Sequence, residues 1–314
     1  MRNWISGRDI PRLVALSIGY LGTALVPRSQ DRRIATILST LALRFRRAHT
    51  LRVAEVLERR LGIHLDGRDP LQIAEDHARM RIEDGWGRLR ALHRQGWAPS
   101  IEVDGIEHVR RAVDQGQGVV LWTTWFCGAI IPKAALASTG FPVNHLSREE
   151  HGAPSRSRLA LAVIAPFYAR AEVGYLKRRI VIPLNQSLGY MKELLALLKA
   201  GECLTIGGEV SGRQPVLAPC LGETRGFATG APSLAWSTKA ALLMVDTVRT
   251  GVMAYRVVIA PIEVARGRER KEFVQAAVLE FAAKLEQAIV DHPADWQGWL
   301  HSSVDEPFAQ VSAG

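Results

Sequence analysis

The chain has 314 residues, of which 47% are hydrophobic and 23% are charged. This composition excludes an intrinsically disordered protein and allows one large domain or two ordinary ones. The three cysteines form an odd, sparse set without metal-site spacing, which excludes a disulfide scaffold and predicts a reducing compartment. The net charge is +9, and nearly all of the excess lies in residues 1–60, which hold twelve arginines, no lysine and four acids.

The basic N-terminal region contains an uncharged apolar run at residues 13–26, bracketed by Arg12 and Arg28. The run is shorter than the ~20 residues that a membrane-spanning helix needs. It predicts a helix that lies in the surface of an anionic membrane, with a buried core helix as the alternative. Nucleic acid is not expected as a partner, because few aromatic side chains accompany the basic residues. No signal peptide is expected, because no small-residue cleavage pattern follows the run.

Helices are predicted for most of the first hundred residues. In the last of them, apolar side chains recur at helical spacing and Asp69-Pro70 marks the start. The predicted helices cover residues 11–26, 34–47, 51–61 and 70–94.

From Gly118 onward, short strands alternate with helices. The strands are predicted at residues 119–123, 143–146, 180–182, 203–206, 241–246 and 255–261. The helices between and after them are predicted at residues 129–139, 155–171, 187–200, 230–239 and 270–291. Such alternation predicts an α/β fold with a mostly parallel sheet flanked by helices.

Several segments occur in an order that resembles a known family. They read GVVLWTTWFCGAII at residues 118–131, FPVNHLSREEHGAPSRSRL at 141–159, SLGYMKELLALLKAGECLTIGGEVSG at 187–212, LAPCLGETRGFATGAPSLAWSTKAALLMV at 217–245 and KLEQAIVDHPADWQGWLHSS at 284–303. From about residue 45 onward the chain resembles the bacterial lipid A biosynthesis (lauroyl/myristoyl) acyltransferase family of the lysophospholipid acyltransferase superfamily. The resemblance implies an acyltransferase-like domain at residues 48–302, preceded by membrane-associating helices at 1–47 and followed by a tail at 303–314.

The resemblance also implies an activity. Members of the family transfer a fatty acyl group from acyl carrier protein or coenzyme A to a lipid or glycolipid acceptor of the lipid A type. The expected partners are therefore acyl carrier protein or acyl-CoA and anionic membrane lipid, with no cofactor and no metal. The expected location is the cytoplasmic face of the bacterial inner membrane, where the protein would be peripheral or monotopic.

The family's catalytic pair is substituted in this sequence. The family places a histidine, four residues and then an aspartate or glutamate at the turn after its first strand; this chain has Trp125 and Ile130 at those positions. Neither side chain can act as a general base or orient one. Two interpretations stay open: an acyltransferase that works without the usual pair, and a catalytically inactive homologue that binds acyl chains, carrier protein or membrane.

A histidine elsewhere could replace the missing base. His145 ends a predicted strand, where a sheet displays its functional groups, and Glu150 follows it at the family's spacing. In this interpretation Glu150 or Glu149 orients His145, and Arg148 contacts an anionic group of the substrate. A solvated polar loop is the alternative.

Three further residues are weighed at neighbouring positions. Cys127 could be a nucleophile near a helix N-terminus, or a small buried hydrophobic residue. Glu209 could orient Arg213 at the site, or it could have a structural role in a turn. We predict that the segments 123–128, 145–151 and 209–213 converge at one edge of the sheet.

Overall fold

A seven-stranded sheet with helices on both faces forms the centre of the protein. The computed structural model describes residues 3–93, 96–183, 189–209, 214–265, 267 and 269–301. The strands are β1 Ser100–Asp104, β2 Val119–Thr123, β3 Val143–Arg148, β4 Leu176–Ile182, β5 Cys203–Gly207, β6 Val216–Cys220, β7 Glu223–Phe227, β8 Ala241–Gly251 and β9 Ala254–Pro261. The helices are α1 Asp9–Leu25, α2 Asp31–Phe45, α3 Arg47–Leu61, α4 Pro70–Ala91, α5 Ile106–Asp114, α6 Ile131–Ser138, α7 Ala165–Val173, α8 Gly189–Lys199, α9 Gly230–Thr238 and α10 Arg270–Asp291.

The strand order places the carboxyl ends of neighbouring parallel strands at the same edge of the sheet. The order is β1-β9-β8-β2-β5-β3-β4, and each neighbouring pair is parallel except the β8–β9 hairpin. The carboxyl ends of β8, β2, β5, β3 and β4 therefore lie at one edge of the sheet, and the first four of these strands lead to the predicted site segments or contain Asp246. The predicted mostly parallel α/β fold is confirmed. The β6–β7 hairpin forms a separate small sheet.

The two faces of the sheet carry separate cores, because successive side chains of a strand point to opposite faces. Trp122 of β2 faces the core that includes α10, where it stacks on Phe281 with ring centroids 4.0 Å apart. Leu121 faces the other core, with Ile131 of α6. This alternation decides on which face each polar side chain of the site lies.

The bounds predicted for the four N-terminal helices agree with the observed bounds to within four residues. Asp69 caps α4 by accepting a hydrogen bond from the backbone N–H of Leu71 at 2.9 Å. Pro70 occupies the first turn, as is typical of a helix start. Asp31 at the start of α2 is buried and bonds to both Arg90 and Trp86 of α4. Buried contacts of this kind hold α2 against the rest of the chain.

Helices α1 and α2 nevertheless expose apolar side chains. The exposed set comprises Ile10, Val14, Ile18, Leu21 and Leu25 on α1 and Ile37, Leu38, Leu41 and Phe45 on α2. We call these nine residues the apolar stripe. Within the described residues, a single helix long and apolar enough to cross a membrane is not found; α1 and residues 28–45 meet that test only as a pair bent by 112°.

Candidate functional site

The turn after β2 is held in place on two sides. The backbone N–H of Trp125 donates to Oε1 of Glu209 at 2.6 Å, and its carbonyl accepts from the N–H of Gln297 at 2.8 Å. The N–H of Cys127 donates to the carbonyl of Asp295, also at 2.8 Å. Glu209 follows β5 and the other two partners belong to the C-terminal segment, so two distant parts of the chain fix this turn.

Glu209 is the buried anchor of that arrangement. Its Oε2 accepts a hydrogen bond from the indole N–H of Trp296 at 2.8 Å and lies 3.3 Å from a guanidinium nitrogen of Arg225. Burial raises the pKa of the Glu209 carboxyl, while Arg225 opposes that rise. Arg213, the partner expected from the sequence, lies outside the described residues. These contacts favour a structural role for Glu209 in the turn.

Apolar side chains surround Trp125 and Ile130, the two residues that occupy the positions where the resemblance places the catalytic pair. Trp125 is half-buried against the core on the α10 face, and Ile130 is 2% exposed in the opposite core. Cys127 is also buried, and burial raises the pKa of its thiol well above the usual range. A thiol that stays protonated is a poor nucleophile, which favours the buried-hydrophobe interpretation of Cys127.

His145 is not at a strand end. Strand β3 continues to Arg148, so His145 is its third residue and pairs in register with Thr205 of β5. Its Nδ1 lies 2.9 Å from Oγ1 of Thr205. Thr205 in turn is level with Leu121, which places His145 on the sheet face opposite to the core that Trp125 contacts.

The structure does not bring His145 and Glu150 together. The Oε1 of Glu150 accepts a hydrogen bond from Arg156 at 2.6 Å instead. Because β3 extends to Arg148, three residues beyond His145, the loop that holds Glu150 begins only after that point. Residues five apart in the sequence are therefore not neighbours in space here. Burial lowers the pKa of His145 well below its usual range, nearby Lys133 lowers it further, and the acid that acts on it is Glu172.

The three predicted segments converge only in part. Glu209 reaches the turn after β2, as described above. Arg148, expected to contact substrate, is half-buried at the end of β3, and its carbonyl accepts a hydrogen bond from Arg179 at 2.8 Å. The 145–151 segment ends at the same edge of the sheet, but its polar side chains gather around α6 and α7.

A polar cluster occupies that position, in which Lys133 and Glu172 are buried and the two histidines His145 and His151 are half-buried. The Nε2 of His151 lies 3.3 Å from Oε2 of Glu172, and Nζ of Lys133 lies 2.5 Å from the same oxygen. Ser147 Oγ lies 2.6 Å from Nδ1 of His151. His145, His151 and Glu172 each offer a ligand atom within 4.8 Å of the others, so these are the described residues that could hold a metal.

A cavity of about 100 Å³ lies between α2, α3 and α4, and His77 forms part of its wall. The side chain of His77 is 2% exposed, and its Nδ1 lies 3.0 Å from the carbonyl oxygen of Ala294. A carbonyl only accepts, so Nδ1 carries the proton and Nε2 of the neutral ring carries a lone pair. Among the described residues, Nε2 has no hydrogen-bond partner. Burial lowers the pKa of His77 to about 4, which keeps the ring neutral.

The cavity has a basic rim, which Gln297 links to the turn after β2. Arg46, His49 and Arg81 line it. Arg81 donates to the side-chain oxygen of Gln297 at 2.9 Å, and the backbone N–H of Gln297 binds the carbonyl of Trp125. A single residue therefore connects the rim of the cavity to the position where the family keeps its histidine.

Two further buried carboxyl groups lie beside this turn. Neither oxygen of Asp84 has a hydrogen-bond partner within the described part of the chain, and a Cβ built on Gly128 would come within 3.1 Å of Asp84. Burial raises the pKa of Asp84 to about 7. Burial also raises the pKa of Asp246 to about 7, a hydrogen bond with Thr124 opposes that rise, and Glu209 adds to it.

Sequence reasoning missed His77, Asp84 and Asp246. A search for a histidine with an acid at the family spacing does not find His77, because its partner is a backbone carbonyl 217 residues away. One signal was available for Asp246, a charged residue at the end of an otherwise apolar strand sequence.

No protein-family model matches this sequence, and a search of curated proteins found no match.

Proposed function

We propose that this protein transfers a fatty acyl group from acyl carrier protein or acyl-CoA to a hydroxyl group of a lipid or glycolipid acceptor at an anionic membrane surface. The observation that carries the proposal is Nε2 of His77, which has no hydrogen-bond partner among the described residues and lies in the wall of a cavity between α2, α3 and α4. A concave site with a few convergent polar groups and a strongly shifted pKa is the usual signature of a reaction centre.

His77 has the arrangement that a general base requires. The carbonyl of Ala294 fixes the ring tautomer, which is the task of the acid in the family's pair. In the proposed reaction, Nε2 takes the proton from the acceptor hydroxyl while the hydroxyl oxygen attacks the thioester carbonyl carbon. The C–O bond forms, the C–S bond breaks, and the departing sulfur takes the proton from His77 to leave as a free thiol. Because the cavity keeps the imidazolium form unfavourable, His77 returns readily to its neutral state.

The size of the cavity limits what can enter it. A water molecule takes about 30 Å³ of liquid volume, so about 100 Å³ holds only the hydroxyl-bearing end of an acceptor. The guanidinium groups of Arg46 and Arg81 at the rim suit an anionic group on that acceptor. The hydrocarbon chains would remain outside, against the neighbouring apolar stripe.

The apolar stripe supports a membrane location. On α1 its members follow each other at intervals of three or four residues, so they share one helix face. The N-terminal arginines add attraction to anionic lipid, worth about 1 kcal/mol for each one near the surface. We propose a peripheral or monotopic position at the cytoplasmic face of the inner membrane.

A catalytically inactive homologue is the second candidate. It is favoured by Trp125 and Ile130, which fill the positions of the family's pair with side chains that cannot move a proton. In this case the protein binds acyl chains, acyl carrier protein or membrane as a partner of other enzymes. The same cavity would then hold a ligand without converting it.

The test uses labelled acyl-carrier-protein and acyl-CoA donors with bacterial membrane lipid. Replacing His77 with Gln keeps a donor for the Ala294 carbonyl but removes the base, so the rate should fall by about 10²–10⁴-fold. The matched control is His64→Gln, because His64 is an exposed histidine on a neighbouring turn. A His77→Gln variant with full turnover would refute the base assignment, and wild-type protein without transfer to any lipid would favour the inactive homologue.

A further inference from the structure

The polar cluster between β3, α6 and α7 is independent of the cavity that carries the proposed function. His145 lies in β3, His151 in the loop after it and Glu172 in α7, and a ligand atom from each lies within 4.8 Å of the other two. The two imidazole rings stand at 68° to each other with centroids 6.2 Å apart. Three segments of the chain thus direct two imidazoles and one carboxylate to a common point.

Each histidine is oriented through its second ring nitrogen. Nδ1 of His145 lies 2.9 Å from the hydroxyl of Thr205, and Nδ1 of His151 lies 2.6 Å from the hydroxyl of Ser147. These contacts leave Nε2 as the ligand atom of both rings. Metal-binding histidines are usually held in this way, with an outer partner that fixes both the tautomer and the ring direction.

The cluster already attracts a cation. The ammonium group of Lys133, itself 3% exposed, lies 2.5 Å from Oε2 of Glu172. One carboxylate that faces two imidazole rings is a suitable environment for positive charge, and in this structure Lys133 supplies it. A metal ion entering the site has to displace that ammonium group, which the flexible lysine side chain allows.

We infer that His145, His151 and Glu172 form a binding site for a zinc ion that competes with Lys133. Two imidazoles and one carboxylate are a frequent zinc ligand set, and water completes the tetrahedron. Imidazole nitrogen also selects against magnesium and calcium, which prefer oxygen ligands. The bound ion joins β3, the 149–156 loop and α7. No metal is expected from the family resemblance, and the site is separate from the proposed base.

The experiment measures metal binding directly. Purified full-length protein is treated with a chelator, dialysed, and titrated with Zn²⁺ and with Co²⁺, whose visible absorption reports tetrahedral coordination. We expect one ion for each chain. His151→Gln and Glu172→Gln should each lower the affinity at least tenfold, whereas His64→Gln, the exposed control, should leave it unchanged.

Two variants separate metal binding from a purely structural role. Ser147→Ala removes the outer partner of His151 without touching a metal ligand, although the same hydroxyl also contacts Arg179 and the carbonyl of Arg148, and it should weaken zinc binding about 10–100-fold. Lys133→Met removes the competing cation at similar volume and should strengthen it at least tenfold. Folding of each variant is followed by circular dichroism, so that a loss of binding in an unfolded protein is not counted.

Three outcomes would overturn the inference. They are a wild-type protein that binds no zinc at micromolar concentration, affinity retained when both histidines are replaced, and a folded Lys133→Met variant that binds no more tightly than the wild type. None of these measurements depends on acyl transfer, so failure of the metal site and failure of the proposed function are distinguishable.

Discussion

Replacing Asp84 with Asn should stabilise the protein at neutral and alkaline pH. Asp84 is 6% exposed and, among the described residues, neither of its oxygens has a hydrogen-bond partner. Burial raises its pKa from 3.8 to about 7. The difference between these two pKa values corresponds to about 4 kcal/mol, so the charged form destabilises the folded state by up to about that amount.

The pH window follows from the sign of the shift. The folded-state pKa is raised, so the folded state keeps a proton that the unfolded state releases above pH 3.8. The penalty is absent in acid, grows as the pH rises towards 7, and is constant above that. Asp84→Asn should therefore add about 2–4 kcal/mol to the free energy of unfolding at pH 8 and little at pH 4.

Urea unfolding from pH 4 to pH 8.5 measures this difference. The control is Asp104→Asn, which changes an exposed aspartate on β1 and should leave both ends of the pH range unaffected. If Asp84→Asn changed stability equally at every pH, or destabilised the protein at pH 8, the Asp84 carboxyl would not have the raised pKa on which the prediction rests.

Three other expectations concern the membrane region, the anchor of the turn and the buried histidine. Deleting residues 1–47, or introducing a charge by Leu21→Asp, should reduce sedimentation with anionic vesicles, and unchanged sedimentation would contradict the membrane assignment. Glu209→Gln leaves Arg225 without its buried counter-charge and should cost about 3–5 kcal/mol in chemical denaturation, whereas a loss under 1 kcal/mol would show that the pair does not anchor the turn. The pKa of His77 is lowered from 6.5 to about 4, so the unfolded state takes up a proton first as the pH falls, and the contribution of His77 to stability should decrease by up to about 3 kcal/mol between pH 6.5 and 4. Unfolding curves should therefore show the difference in stability between His77→Gln and the wild type shifting in favour of the variant by that amount across this pH range, and a difference that does not change with pH would contradict the buried neutral ring.

The sequence predicted elements best where one local signal dominated. The predicted and observed bounds of β2 agree because an uninterrupted apolar run follows Gly118. The bounds of α10 agree because its apolar residues recur over 22 residues without a helix breaker. Strands β6 and β7 were missed because they form a short hairpin with mixed polar residues and a proline. Strand β1 was missed because it is half-exposed at the sheet edge and has no clear apolar run.

The candidate site was predictable only in its position. The turn at residues 123–128 was recognisable as a strand-to-helix connection, and Glu209 was correctly placed beside it. The prediction that Glu150 orients His145 was wrong, because β3 is two residues longer than predicted. The extra length changes where the loop after the strand begins and therefore where Glu150 lies. His77 could not be found from local spacing, because its orientation depends on Ala294 and its surroundings depend on three packed helices.

Helix α2 connects the proposed membrane surface to the proposed reaction centre. Leu41 and Phe45 belong to the apolar stripe, while Ala42, the next residue along the helix after Leu41, and Arg46, which directly follows the end of the helix, line the cavity that contains His77. Adjacent helix residues point about 100° apart, so the last turn of α2 carries part of the apolar stripe on one side and part of the cavity wall on another. In the proposed function, a lipid whose chains rest on the stripe would have its polar end close to the cavity. Deletion of residues 1–47 removes a wall of the cavity together with the stripe, whereas Leu21→Asp alters only the stripe, so that substitution alone separates membrane binding from chemistry.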